Sequence, residues 1–314
     1  MGKQVSNNGK KIKLDLPSYV DLTNQIRLTS EIVWKKKLDR KDIEDWLSNF
    51  KGEVFPITYE HQIALWLLAN FVFYNEDEVK HLCKVLYKDF IHKFIVMESS
   101  GSLESDYESV LRKSRFYSLG KPGESSAYIL YHFRQESNIP IKKFISRLDN
   151  LDKAVEYIVF VDDVALSADK KSQAAKYINE LKEQNPTLKD KKIVLLTFVA
   201  TDEAIKFLAG EGVDVVNCIK LDKRHKCFAS DSLVFSHFTE HSDNAKVFAE
   251  HYGKIVKPEN PLGYNDGQFL FGFYYNTPDN SLPIFWAEEN KWIPILKRYH
   301  KNYHNKLISL GKYI

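Results

Sequence analysis

Residues 157–169 read Tyr157-Ile158-Val159-Phe160-Val161-Asp162-Asp163-Val164-Ala165-Leu166-Ser167-Ala168-Asp169. The apolar run Tyr157–Val161 is rich in β-branched and aromatic side chains, the composition of a strand buried on both faces. Such strands belong to parallel sheets covered by helices, and ligands bind these sheets at the carboxyl ends of the strands. Here that end delivers two adjacent carboxylates. A loop of small residues follows, and then a helix expected over Lys171–Lys182. Free N–H groups at a helix start suit a phosphate, and carboxylates suit sugar hydroxyls. Together they match a ribose-phosphate ligand. The alternative is that Asp162 and Asp163 merely cap a loop.

Working outward, Ile193–Val199 and Val213–Ile219 read as further buried strands, with a short helix at Asp202–Leu208 between them. Upstream, Phe116–Leu119 is a short strand candidate, followed by the loop Gly120–Ser126 and a helix to Ser137. Strands alternating with helices predict an α/β module with a mostly parallel sheet. The first third reads differently. Ile43, Trp46, Leu47 and Phe50 share one helical face, Tyr59–Phe73 is an apolar helix, and Asn75 with Glu78 has the form of a capping box opening a helix over Glu76–Ile95. No strand signal precedes Ser99. The expected organisation is a loose arm at 1–13, a helical domain at 14–105, and an α/β domain at 106–314.

Composition sets limits on function. With 45 Lys+Arg against 42 Asp+Glu, the chain carries a net charge of +3. Six of those basic residues (Lys291, Lys297, Arg298, Lys301, Lys306 and Lys312) fall in 290–314, which has no acidic residue. Residues 1–289 therefore hold 39 basic against 42 acidic side chains, a net −3. Interleaved with Tyr299, Tyr303 and Tyr313, the tail has the make-up of a stripe that tracks a phosphate backbone, or of an ordinary solvated helix face. The longest apolar run, Ile63–Phe73, is 11 residues and contains Asn70, against the ~20 a membrane span needs. Cys83, Cys218 and Cys227 match no zinc or redox spacing. No membrane and a reducing, cytoplasmic setting are expected. The histidines give no HExxH-type pattern; His237/His241 and His300/His304 lie four apart without a strong helix signal. No protein-held metal site is expected.

Several blocks together resemble a known family: Asp42–Phe50, Ile63–Tyr87, Lys121–Arg134, the Asp-Asp strand, and Pro261–Trp286 with Trp292-Ile293-Pro294. They are similar to the phosphoribosyltransferase-like family of bacterial conflict and anti-phage systems, PRTase-CE, whose members also occur beside retron reverse transcriptases. The Asp-Asp strand by itself looks like the phosphoribosyl diphosphate (PRPP) loop of type I phosphoribosyltransferases. The resemblance implies a type I phosphoribosyltransferase-like sheet with flanking helices, preceded by a helical domain of winged-helix type. It implies a toxic effector that binds PRPP or a nucleotide and acts at ribose C1′, by transfer or hydrolysis. Asp162 and Asp163 would hold the ribose hydroxyls. Ser167, Ala168 and Lys170 would hold the 5′-phosphate. Lys121, Gly123, Ser125 and Ser126 would face the diphosphate, with Mg²⁺ carried largely by the ligand.

Where phosphoribosyltransferases carry glycines in the phosphate loop, this chain has Leu166-Ser167-Ala168. Glycine allows close backbone approach that these residues do not. That departure motivates a second reading, a catalytically degenerate binding protein that engages nucleic acid or a reverse-transcriptase complex through Arg298 and Lys301. The block Tyr274–Pro283 reads either as a loop over the pocket, with Tyr275, Asn276 and Asn280 on the substrate, or as a turn whose Asn and Asp side chains bond their own backbone. Trp286 and Trp292 read as core.

Overall fold

The computed structural model describes residues 15–98, 102–120, 123–149, 151–170 and 172–298. The arm at 1–13, Lys121 and Lys301 lie outside them. The first elements are α1 (Tyr19–Ile32), α2 (Arg40–Leu47), α3 (Ile57–Ala69), β1 (Val72–Tyr74), α4 (Glu76–Glu98) and α5 (Leu103–Lys113). The α/β series follows as β2 (Ser114–Ser118), α6 (Ser125–Ser137), β3 (Tyr157–Ala165), α7 (Gln173–Gln184), β4 (Lys192–Thr201), α8 (Asp202–Gly210) and β5 (Val213–Leu221). Last come α9 (Thr239–Val256), β6 (Phe271–Phe273) and α10 (Pro283–Trp286).

The described parts of the chain form two compact units. The first comprises Met1–Phe71, Lys223–Leu270 and Leu282–Ile295, and the second Val72–Asp222, Phe271–Ser281 and Leu296–Ile314. In the first unit, α2 presents the predicted face. Ile43, Trp46 and Leu47 are buried, and Phe50 just beyond the helix is buried with them. Phe50 packs edge-on against Trp46, Tyr252 and Trp292, with ring centroids 5.2, 5.0 and 5.4 Å away. The main-chain carbonyl of Ile284 accepts both indole N–H groups, from Trp46 at 2.8 Å and from Trp292 at 3.0 Å. Buried polar groups require such partners, so the carbonyl ties the N-terminal and C-terminal segments of this unit together. Trp286 and Trp292 are core, as expected.

The second unit holds the sheet, in the order β2-β3-β4-β5 with every pair parallel. β4 is buried almost throughout, which matches its continuous apolar reading. Helices α7 and α8 cover one face. Ala174, Ala175 and Ile178 of α7 and Ala204 and Leu208 of α8 pack with Ile158, Phe160, Ile193 and Leu195. Alternate strand residues face the other way. Tyr157 meets Phe94 of α4 at 4.9 Å, and Phe116 of β2 meets Phe90 of α4 and Phe133 of α6 at 5.8 and 5.6 Å. The helix after β2 thus lies on one face and the helix after β3 on the other. Phe144 extends the pattern by forming a parallel bridge to Phe116, on the edge of β2 away from β3.

The predicted capping box forms. Asn75 N–H donates to Glu78 at 2.7 Å, and Asn75 Oδ1 accepts the N–H groups of Asp77 and Glu78 at 2.9 and 3.1 Å. Several elements differ from the sequence reading, the helix α5 among them. The helix expected to run to Phe73 stops at Ala69, and Val72–Tyr74 forms a strand pairing in parallel with Phe271–Phe273. A three-residue strand has no period of its own, and its partner lies about 200 residues away. Helix α9 had no counterpart in the expectation either. Among the described residues no helix is long and apolar enough to cross a membrane, and all three cysteines are free.

Candidate functional site

β2 and β3 are neighbours whose following helices take opposite faces. That is a topological switch point, and in a parallel sheet it opens a crevice at the carboxyl ends of the two strands. β2 ends with Ser118 paired to Val161, while β3 continues along β4 through Asp162, paired with Thr197, to Ala165. The two aspartates therefore lie within the strand rather than after it, on the stretch that has outrun β2.

Both are nearly enclosed, Asp162 at 6% and Asp163 at 7% exposure. Asp162 Oδ1 accepts the N–H of Asp163 at 3.0 Å. Burial pushes the Asp162 carboxyl well above the usual range, and the charge of Asp163 and then of Glu124 adds to it. Asp163 Oδ2 accepts the phenol of Tyr275 at 3.3 Å. The Tyr275 phenol is itself pushed well above its ordinary value, by burial first and then by the two aspartates. Glu124 was not singled out in the sequence. It precedes α6 without capping it, and only the fold brings its charge near Asp162.

The loop after β2 is shaped by its neighbours. Tyr177 of α7 donates to the Gly120 carbonyl at 3.1 Å. Gly123 has φ +91° and is exposed, a conformation that side chains rarely adopt. Ser126 is buried and accepts a hydrogen bond from Ser118 at 3.0 Å, so its hydroxyl is engaged inside the protein. Ser125 is half-buried at the first turn of α6.

In the loop after β3, Ser167 is buried while Ala168 and Lys170 are exposed. Ser172 caps α7 by accepting the N–H of Ala175 at 3.3 Å. Thr201 both caps α8, at 3.0 Å from the Ala204 N–H, and donates to the Leu166 carbonyl at 3.3 Å. That bond ties the loop to the end of β4.

The block after β6 meets both stations. Besides the Tyr275–Asp163 bond, Asn280 Nδ2 donates to Ser167 Oγ at 3.3 Å. The backbone of Asn276 closes a tight turn, donating to and accepting from Phe273 at 3.1 and 2.8 Å. The ring of Tyr275 stacks on Phe273 at 5.4 Å with 7° between planes, and Tyr128 of α6 stands 5.5 Å away. The phenols of Tyr128 and Tyr274 are hydrogen-bonded to each other. Tyr128 carried no local signal, since it sits in a helix and reaches the site only through packing. Arg298 turns inward: its guanidinium donates to the Thr277 carbonyl at 2.6 Å and to Asp279 Oδ2 at 3.3 Å.

Comparison with known proteins adds a family. A model of the family described as PRTase-CE matches residues 43–298. Among solved structures, the chain is similar to an orotate phosphoribosyltransferase from Aeropyrum pernix. The identity is 18%, over 38% of this chain and 73% of that one, with a TM-score of 0.23. No curated protein matches the chain.

Proposed function

The chain belongs to the PRTase-CE family, a phosphoribosyltransferase-like family, and from that premise we propose that it binds PRPP or a nucleotide at the switch point and acts at ribose C1′. The observation that carries this reading is the carboxyl pair Asp162–Asp163 on the part of β3 that runs beyond β2. Asp163 accepts a hydroxyl hydrogen bond already, from Tyr275, so a ribose hydroxyl has a suitable acceptor there. Asp162 holds its proton to unusually high pH and can therefore donate as well as accept. Ser167, and the segment reaching Lys170, are the candidate 5′-phosphate station. Gly123, Ser125 and Lys121 are the candidates for the diphosphate. Departure of diphosphate leaves positive charge at C1′, and the enclosed carboxyl pair places negative charge in a low-dielectric setting to stabilise it.

The donor set bears on Mg²⁺. The carboxylates are hard oxygen ligands, but among the described residues no three metal-ligating side chains converge. That suits an ion that arrives on a diphosphate and keeps several waters. Bound there, it would supply neutralisation of the leaving diphosphate. In a cell the activity would deplete or modify nucleotides, the part of an effector in anti-phage defence.

Titration calorimetry with PRPP and Mg²⁺ tests the reading. Saturable binding is expected for the wild type, with a loss of about 100-fold when Asp162→Asn and Asp163→Asn are combined, roughly the worth of two of the stronger hydrogen bonds. Unchanged affinity in a folded double variant sinks it.

A second reading is favoured by the loop Leu166-Ser167-Ala168, which lacks glycine and whose Ser167 Oγ already accepts a hydrogen bond from Asn280. In that reading the pocket is degenerate and the protein engages nucleic acid or a reverse-transcriptase complex. Strongly salt-dependent affinity for nucleic acid, with no PRPP binding, would favour it.

A further inference from the structure

The segment 274–281 reaches both stations of the site, and at one of them with the bond type a ligand would use. At Asp163 the phenol of Tyr275 donates to a carboxylate oxygen, the bond a sugar hydroxyl makes. At Ser167 the Nδ2 of Asn280 donates to Oγ, on the hydroxyl whose own O–H a phosphate oxygen would accept. Both bonds are long, 3.3 Å, against about 2.8 Å for a good O–H···O bond and about 2.9–3.0 Å for N–H···O.

Three other bonds of the same segment are shorter and go to Arg298, Leu296 and Phe271 rather than to the carboxyl pair. Arg298 donates to Thr277 O at 2.6 Å and pairs with Asp279 at 3.3 Å, and Thr277 Oγ1 donates to the Leu296 carbonyl at 3.0 Å. Ser281 Oγ holds the Phe271 carbonyl at 2.7 Å. Weak contacts into the site and stronger ones outside it describe a strap that can let go at the site without coming loose from the protein.

Resting on the ribose-phosphate reading above, we propose that Tyr275 is a built-in stand-in for the ligand's sugar hydroxyl and that Asn280, held on Ser167 Oγ, is displaced along with it. Ligand entry is then an exchange. A sugar hydroxyl replaces the Tyr275 phenol at Asp163, the Asn280 carboxamide leaves Ser167 Oγ so that a phosphate oxygen can accept the Ser167 O–H, and the Arg298–Asp279 pair is the latch that sets how readily the strap yields. The site is held closed by its own chain, and the ligand that opens it must satisfy both stations at once, which selects a phosphorylated pentose over a free pentose or inorganic phosphate.

The test is titration of the full chain with ribose 5-phosphate, comparing wild type, Tyr275→Phe and Asp279→Asn, with ribose and inorganic phosphate as controls. Tyr275→Phe keeps the ring stack and removes only the competing hydroxyl, so affinity should rise about 3- to 10-fold, the worth of one modest hydrogen bond. Asp279→Asn should also tighten binding and, without ligand, speed amide exchange across 277–281. Binding by the wild type that Tyr275→Phe leaves unchanged or weakens overturns the exchange alone. Ribose 5-phosphate bound by no variant overturns the site reading and the exchange with it. Amide exchange unaltered in Asp279→Asn overturns the latch.

Discussion

The phenol of Tyr252 donates to the carboxylate of Glu60 at 2.6 Å, joining α9 to α3 inside the first unit. The same carboxylate accepts the N–H groups of Gly52, Val54 and Phe55 at 2.7, 2.8 and 3.1 Å. Glu60 is fully buried, and burial alone would raise its pKa. The donors outweigh it and hold the carboxyl below its ordinary value, Tyr252 contributing most among them.

Glu60→Ala should therefore destabilise the protein by about 2–4 kcal/mol near neutral pH, the cost of leaving several enclosed donors without an acceptor. The contribution is present above the carboxyl pKa of the unfolded chain and is lost as pH falls through the lower folded value. Urea unfolding of wild type and variant at neutral and acidic pH should show the gap closing on acidification.

Asp162 behaves in the opposite sense. Its folded pKa is raised, so the wild type loses stability as pH climbs from the ordinary carboxyl range towards that raised value. Asp162→Asn removes the ionisation and should stabilise the protein by about 1–3 kcal/mol above neutrality, with no gain at acidic pH. Thermal unfolding across pH measures the crossing. A variant less stable than wild type at high pH contradicts this assignment.

His132 offers a titration that can be followed directly. Burial, and then the charge of Lys80, hold its pKa below the usual value, against Glu76 and Glu136 pulling the other way. Its Nδ1 is buried without a hydrogen-bond partner. Protonation on acidification therefore costs stability, lost as pH falls through the lowered value. Its ring resonances should titrate below the ~6.5 of a free imidazole, and His132→Phe should stay within about 1 kcal/mol of wild type at neutral pH.

Two glycine replacements should diverge. A Cβ on Gly253 would lie 2.0 Å from the Pro261 carbonyl oxygen, whereas one on Gly210 meets nothing within 4 Å. Gly253→Ala should cost about 3 kcal/mol or more from the backbone clash. Gly210→Ala, at the end of α8, should be neutral or stabilising by up to about 1 kcal/mol. Unfolding midpoints of the two variants provide the comparison.

What was readable in advance was what is local. The strand Tyr157–Val161, the face Ile43-Trp46-Leu47-Phe50 and the Asn75–Glu78 box each state their geometry within a few residues, and each forms. Phe269–Phe273 reads as a strand candidate and β6 forms within it, whereas β1 spans three residues and exists only through its pairing with β6, so it has no period to read. The engagement of Asp163 by Tyr275, 112 residues apart, and of Ser167 by Asn280, 113 apart, follows from sheet topology rather than spacing. The sequence pointed to these residues as a group facing one ligand. The structure shows two of them already bonded to the others.

The Ile284 carbonyl that accepts the Trp46 indole imposes an order on the making of this protein. The two residues are 238 apart, so at a synthesis rate of ~5–20 residues per second Trp46 waits roughly 12–50 s for its acceptor. All four strands from β2 to β5 emerge during that wait. The unit whose synthesis begins first is thus incomplete until after those strands have emerged, and until then the apolar face of α2 is the surface a nascent-chain chaperone would have to shield.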